Sequence, residues 1–373
     1  MMNPQSVQQP RQPQIKAALA VAPLSSTWIK GWQGVFSHRL MIYICMLLIA
    51  SIGAWGYGIR TRTIFACQAG GYSADRYVAS CNGANYGDYE HGAFQFNLEP
   101  SVQDSVKNAD VLFLGNSRLQ LAFSAVPTEQ WFSTNSARYY LMGFTYFENE
   151  LFASELLNSI RPRPKVYIIN VDDFFEKFET APVKMILHDP NARSEYAAKR
   201  FWQRVHERIC GTFKVLCGNK FVIFRSRNTG AYYTQGSVGR TEPVPVSYDP
   251  VVDQNAANAN ITAAVDFLSR FTQKKCVILT MVPYVGTKIG TAKAIASGIG
   301  LKLMTPDTVQ GLRTFDGYHL DQPSAQRWSQ AFFQAAGPEI RSCLDSRNAA
   351  DRQGTSSTGA AASVQSATTS TVR

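Results

Sequence analysis

The chain has 373 residues, 45% apolar and 17% charged, with a formal net charge of +10. That is material for one large or two ordinary domains with a real core, and it excludes a disordered chain. Much of the positive charge sits at the two ends, so the middle is only mildly basic and a nucleic-acid-binding role is excluded from the expectations.

Residues 1–39 are rich in Gln, Pro and Ala, carry Arg11, Lys16, Lys30 and Arg39 without an acid, and read as a flexible cytoplasmic arm. Residues 40–59, "LMIYICMLLIASIGAWGYGI", contain no charge. As a helix such a run crosses the roughly 30 Å hydrocarbon core of a bilayer. The basic arm before it predicts a single-pass helix in the inner (plasma) membrane, with its amino terminus cytoplasmic and the rest outside. A cleavable signal peptide is the alternative, although its apolar core is normally shorter.

Residues 60–345 then form one extracytoplasmic domain, and 346–373, rich in Ser, Thr and Ala, are expected to be a disordered tail. Within the domain, apolar runs at 110–114, 137–141, 165–170, 276–282 and 301–304 read as strands. Helical patterns lie at about 147–160, 192–209, 254–274, 287–299 and 323–336. Continuously apolar strands alternating with helices predict an α/β domain with a doubly wound parallel sheet covered on both faces. Residues 210–252 break the rhythm and read as an insertion or lid.

Cys45 lies in the apolar run, leaving Cys67, Cys81, Cys210, Cys217, Cys276 and Cys343 outside. Six cysteines allow 15 pairings. Close spacing favours 67–81 and 210–217, leaving 276–343; unpaired buried thiols are the alternative. An even count suits an oxidising compartment. No Cys-x-x-Cys, no His-Glu-x-x-His and no phosphate-cradling Gly/Lys loop occurs, so no metal and no cofactor is expected.

The chemistry centres on two short stretches. "DVLFLGNSR" ends a strand in Gly-Asn-Ser, and a ligand site in such a sheet lies beyond the carboxyl ends of the strands. Ser117 needs a base. Of the five histidines, His38 is at the membrane edge, His91 is in an early loop, and His188 and His206 have no partner signature. His319, in "TFDGYHLDQPSAQRW", follows the last strand with Asp316 three residues before it and Gly317 permitting a tight turn. Asp316 can then hold one ring nitrogen and leave the other for Ser117.

A Gly-x-Ser after the first strand and Asp-x-x-His-Leu before the last helix resemble the first and last blocks of the SGNH (GDSL-like) hydrolase superfamily. Asn116 stands where that family usually has an acid. The resemblance implies a flavodoxin-like SGNH fold, Ser117 as nucleophile, His319 as general base and then acid, and Asp316 as its orienting group. It also implies oxyanion donors beyond the serine N–H. Gly143 in "YYLMGFTYFEN" matches the family's glycine, and in "IINVDDFF" the aligned position falls on Asp172, which cannot donate when ionised, so Asn170 is the candidate. Arg118 is either a substrate contact or a salt-bridge partner of Asp172 or Asp173. Trp131, Trp202, Tyr232 and Tyr233 are either sugar-stacking surfaces or core.

A membrane-anchored SGNH-like domain resembles the accessory proteins of exopolysaccharide O-acetylation. That implies an O-acyltransferase, acetyl first among acyl groups, acting through an acyl-serine on a cell-envelope or secreted polysaccharide. Its partners would be the polysaccharide acceptor and a multi-pass membrane O-acyltransferase or polysaccharide secretion complex. The alternatives are a polysaccharide acyl esterase with the same triad, and a non-catalytic polysaccharide-binding or scaffold protein.

Overall fold

In the computed structural model the described residues are 38–364, except 62, 82, 237–241, 273–275 and 307. The expected arm therefore lies outside them but for its last two residues, as do the last nine residues of the tail. The chain divides into two units, Met1–Gly58 and Ile59–Arg373. In the first, the helix His38–Thr61 contains an apolar stretch, Leu40–Tyr57, long enough to cross a membrane and without a buried side chain.

The second unit is a mixed α/β domain. Its strands are β1 (Arg76–Cys81), β2 (Val111–Asn116), β3 (Tyr139–Phe144), β4 (Val166–Asn170), β5 (Val222–Ser226), β6 (Tyr232–Gln235), β7 (Val244–Pro245), β8 (Val277–Thr280) and β9 (Arg313–Thr314). β2, β3, β4 and β8 form a parallel sheet in the order β3-β2-β4-β8. The strand order reverses between β2 and β4, the place where a sheet of this kind can offer a ligand crevice.

The strands are apolar throughout because both faces are covered. Leu112, Leu114, Tyr140, Met142, Ile169 and Leu279 pack into one core cluster with the helices Glu150–Ile160, Gln254–Phe271 and Ile289–Gly298. The alternate residues Val111, Phe113, Leu141, Ile168 and Ile278 pack into a second cluster with Ser117–Ala122, Ala125–Thr134 and the last helix. Period-two alternation of side chains divides one continuous run between two cores.

Three expectations change. The strand expected at 301–304 shrinks to a single parallel bridge, Leu279 to Leu303. Met304 donates its N–H to the Leu279 carbonyl at 2.7 Å, and Pro306 soon follows without an N–H to give. The 210–252 region is more than a lid: β5 pairs antiparallel with both β1 and β6 in a second sheet, ordered β1-β5-β6, and β7 pairs with β9. The last helix runs from Gln322 to Val364, well into the stretch expected to be disordered. That stretch is rich in alanine, the best helix former, and continues a helix already packed in its first turns.

Disulfides join Cys67 to Cys81, Cys210 to Cys217, and Cys276 to Cys343. A buried ion pair joins the second sheet to the first: Arg225 of β5 donates to Glu90 Oε2 at 2.8 Å and to the Leu141 carbonyl of β3 at 2.6 Å. Burial raises the Glu90 carboxyl, but Arg225, His91 and the hydrogen bonds of Tyr232 and Thr145 outweigh it and hold it below its ordinary value. Glu90 is an anion in the core.

Candidate active site

β2 ends at Asn116 and Ser117 opens the helix Ser117–Ala122. Asn116 explains its own presence: Oδ1 accepts the Arg118 N–H at 3.0 Å, capping the helix, while Nδ2 donates to the Asp172 carbonyl at 3.3 Å. The side chain thus ties the turn at Ser117 to the loop after β4, a role that needs both a donor and an acceptor.

The two loops singled out in the sequence meet. Ser117 Oγ lies 2.8 Å from His319 Nε2, although 202 residues separate them. His319 Nδ1 lies 2.6 Å from Asp316 Oδ2. The other oxygen of Asp316 accepts the backbone N–H groups of Tyr318 at 2.9 Å and His319 at 2.8 Å, in a turn where Gly317 has φ +89°. Only glycine takes that conformation without strain. Burial raises the Asp316 carboxyl, but the hydrogen bond and charge of His319 and the two N–H groups together hold it below its ordinary value. An ionised Asp316 accepts from Nδ1–H, which leaves the Nε2 lone pair to accept the Ser117 O–H. Phe315 stacks on the imidazole with centroids 5.6 Å apart and 18° between planes, fixing the ring's tilt.

Ser117, Asp316 and His319 line a cleft of about 520 Å³. Its lining includes the apolar Leu121, Phe221 and Ile223 as well as Asp88, Tyr146 and Phe147. Phe221 and Ile223 come from the 210–252 insertion, so this region does wall the site, although as part of a sheet. The sequence carried no signal for these residues, because their nearness to Ser117 depends on pairing of β1 with β5. Phe315 could have been singled out by its position beside the Asp-x-x-His motif.

The expected oxyanion donors are not among the residues that line the cleft. Gly143 lies within β3, paired with Gly115, and a Cβ there would stand 2.6 Å from the Asn116 carbonyl oxygen. Its visible role is close packing of two strand ends beside Ser117. Asn170 is fully buried, and its Oδ1 accepts the Val282 N–H at 3.0 Å, while Nδ2 has no partner among the described residues. The side chain turns its oxygen toward the loop after β8 and keeps its amide nitrogen enclosed. The Ser117 N–H, in the first turn of its helix, has no intrahelical acceptor.

Arg118 is buried and engaged with Asp172 and with Asp173, the latter at 3.4 Å. The rings of Tyr284 and Phe147 lie 4.3 and 5.1 Å from its guanidinium, and that of Tyr318 lies 5.9 Å away. Of its two readings the salt bridge is the one the structure shows, and it braces the loops around Ser117. The four aromatic residues suggested for sugar stacking lie off the cleft. Trp131 stacks on Phe333, Tyr232 is buried on Glu90, Tyr233 lies under Arg76, and Trp202 packs against Phe201.

The remaining described histidine rings are engaged elsewhere. His91 is buried 2.9 Å from Glu148, His188 is at the surface on Glu179, and His206 contacts Tyr72 and the Cys67 carbonyl. His206 also adjoins Cys210 and Cys217, but the disulfide between those sulfurs removes the thiolates a metal would need. The chain matches no protein-family model, no curated protein and no solved structure in the comparisons made with each.

Proposed function

We propose that the protein is a membrane-anchored extracytoplasmic O-acyltransferase of SGNH type, with a doubly wound, flavodoxin-like domain that modifies a cell-envelope or secreted polysaccharide. The observation that carries this reading is the hydrogen-bonded line from Ser117 Oγ through His319 to Asp316, with lengths of 2.8 and 2.6 Å. Its partner would be a multi-pass acyltransferase or secretion complex that delivers the acyl group, acetyl in the first instance.

In this mechanism the Ser117 hydroxyl attacks the donor's acyl carbonyl as its proton passes to His319 Nε2. Asp316 stabilises the imidazolium that forms. The tetrahedral oxyanion is met by the Ser117 N–H, and its collapse expels the donor's leaving group with the proton from His319. Neutral His319 then takes a proton from a sugar hydroxyl. That oxygen attacks the acyl-serine, and Ser117 leaves with its proton restored. Atoms balance without water, metal or redox partner.

Hydrolysis of the same intermediate by water is the esterase reading, favoured by the partial solvent exposure of the His319 and Asp316 side chains. The two separate when the full-length protein in detergent is given p-nitrophenyl acetate with and without cellopentaose. Transfer predicts an acetylated serine on a peptide containing Ser117, acetylated cellopentaose as product, and loss of both in Ser117→Ala. Purely hydrolytic turnover under both conditions would leave the esterase, and no acyl-serine at all would leave the binding protein.

A further inference from the structure

Two adjacent residues at the cleft have a backbone that bulky side chains avoid. Tyr146 has φ +65° and Phe147 φ +56°, both left-handed. Such strain persists only where the surroundings over-determine it. Here Thr145 donates its N–H and its hydroxyl to Glu90 Oε1 at 2.9 and 2.8 Å, and Glu90 is itself held by Arg225 and by the Tyr232 hydroxyl at 2.5 Å. On the other side Asn149 caps the following helix by accepting the Leu151 N–H. The turn is pinned from behind at both ends.

What the pinned turn presents is not core. Tyr146 and Phe147 are 43% and 42% exposed, and both line the cleft that contains Ser117 and His319. Phe147 is braced edge-on against Tyr318, the residue before His319, with centroids 6.2 Å apart. The Tyr146 hydroxyl donates to Asp88 Oδ2 at 2.6 Å, and Oδ1 of Asp88 has no partner among the described residues. Asp88 and Asp316 bring negative charge to the cleft, and no lysine or arginine is among its described lining residues. Arg118, the nearest cation in sequence to the nucleophile, is occupied by Asp172 and Asp173.

We propose that Tyr146, Phe147 and Asp88 form the acceptor subsite, and that the acceptor is an uncharged pyranose polymer. This deepens the acyltransferase reading and rests on it. Ring faces take the C–H face of a sugar, and the open carboxylate oxygen accepts a sugar hydroxyl. The apolar lining residues Leu121, Phe221 and Ile223 are left for the acyl group. A uronate or phosphate polymer would set anions against two carboxylates in a cleft whose described lining residues include no lysine or arginine, Lys199 being held at the Asp88 backbone carbonyl at 2.7 Å, so the lining favours a neutral glycan over a charged one.

The test is calorimetric titration of full-length Ser117→Ala in detergent, with cellopentaose against pentagalacturonate, so that binding is read without turnover. Cellopentaose is expected to bind about tenfold or more tightly than the uronate, Phe147→Ala in that background to weaken it by about tenfold, and Phe147→Trp to restore it. Tyr146→Leu, which keeps the bulk of the site, serves if Phe147→Ala melts early, and is expected to weaken binding in the same direction. The proposal is overturned if cellopentaose does not bind, if the uronate binds as well, or if a normally melting Phe147→Ala or Tyr146→Leu binds as before. Saccharide binding beside a wild type that forms no acyl-serine would remove the acyltransferase reading and leave the subsite standing. Acyl-serine without saccharide binding would do the reverse.

Discussion

Asp316→Asn isolates the orienting group from the fold. In the native turn Asp316 Oδ1 accepts two backbone N–H groups, from Tyr318 at 2.9 Å and His319 at 2.8 Å, and Oδ2 faces His319 Nδ1 at 2.6 Å. Asparagine has one acceptor oxygen, and two backbone donors claim it. The amide NH2 is then left facing Nδ1, where it can only donate, so the imidazole must carry its proton on Nε2. That nitrogen lies 2.8 Å from Ser117 Oγ and would present a proton where a lone pair is needed. Because the backbone bonds survive, the melting temperature should stay close to that of wild type.

Loss of the correct tautomer in a Ser-His-Asp system costs about 10⁴ in turnover, or roughly 5 kcal/mol in the barrier. The assay is the rate of p-nitrophenyl acetate turnover and of acyl-serine formation by intact mass, on the full chain in detergent at neutral pH. A variant that melts normally and keeps more than about a tenth of wild-type turnover would refute the assignment of Asp316.

Other outcomes follow from the same contacts. Glu90→Gln removes the anion opposite fully buried Arg225 and should cost about 3–5 kcal/mol, read by denaturant unfolding. Since the Glu90 carboxyl is held below its ordinary 4.5, its contribution is complete above that pH and lost as pH falls through the lower folded value, so wild type and variant should converge in acid. Replacing Cys276 and Cys343, which are 67 residues apart, should cost about 4 kcal/mol by loop entropy, against about 2 kcal/mol for Cys210 and Cys217, 7 apart. The two double variants, compared by thermal melting, should rank in that order. Gly143→Ala places a methyl 2.6 Å from the rigid Asn116 carbonyl and should cost about 1–3 kcal/mol while displacing Ser117, so that turnover falls more than stability alone explains. Normal turnover at saturating ester would show that the strand ends can shift freely.

The parts of the fold that proved legible are those set by local pattern. β2, β4 and β8 are continuous apolar runs because two cores claim alternate residues, and such runs stand out against polar helices. Gly317 between Asp316 and His319 announced a turn because left-handed backbone favours glycine. Illegible parts rest on partners distant in sequence. Residues 210–252 broke the helical rhythm for a reason no window could contain, since β5 finds its partner in β1, with Arg76 opposite Ser226. Tyr146 and Phe147 look like ordinary aromatic residues until the buried Glu90 behind them is seen holding their turn.

Taken by itself, the amino-acid sequence determined an apolar segment long enough for a bilayer, an alternating α/β order, and a serine and a histidine at the loops where strands end. These follow from hydrophobic length, periodicity and turn chemistry, all properties of neighbouring residues. Only the tertiary structure decided that Ser117 and His319 lie within hydrogen-bond distance, that Asn170 turns its oxygen to Val282 while Arg118 pairs with Asp172, and that two carboxylates and two strained aromatic residues share the cleft. Those outcomes depend on which distant groups satisfy one another once water is removed, and buried hydrogen bonds and ion pairs are settled by the whole fold at once.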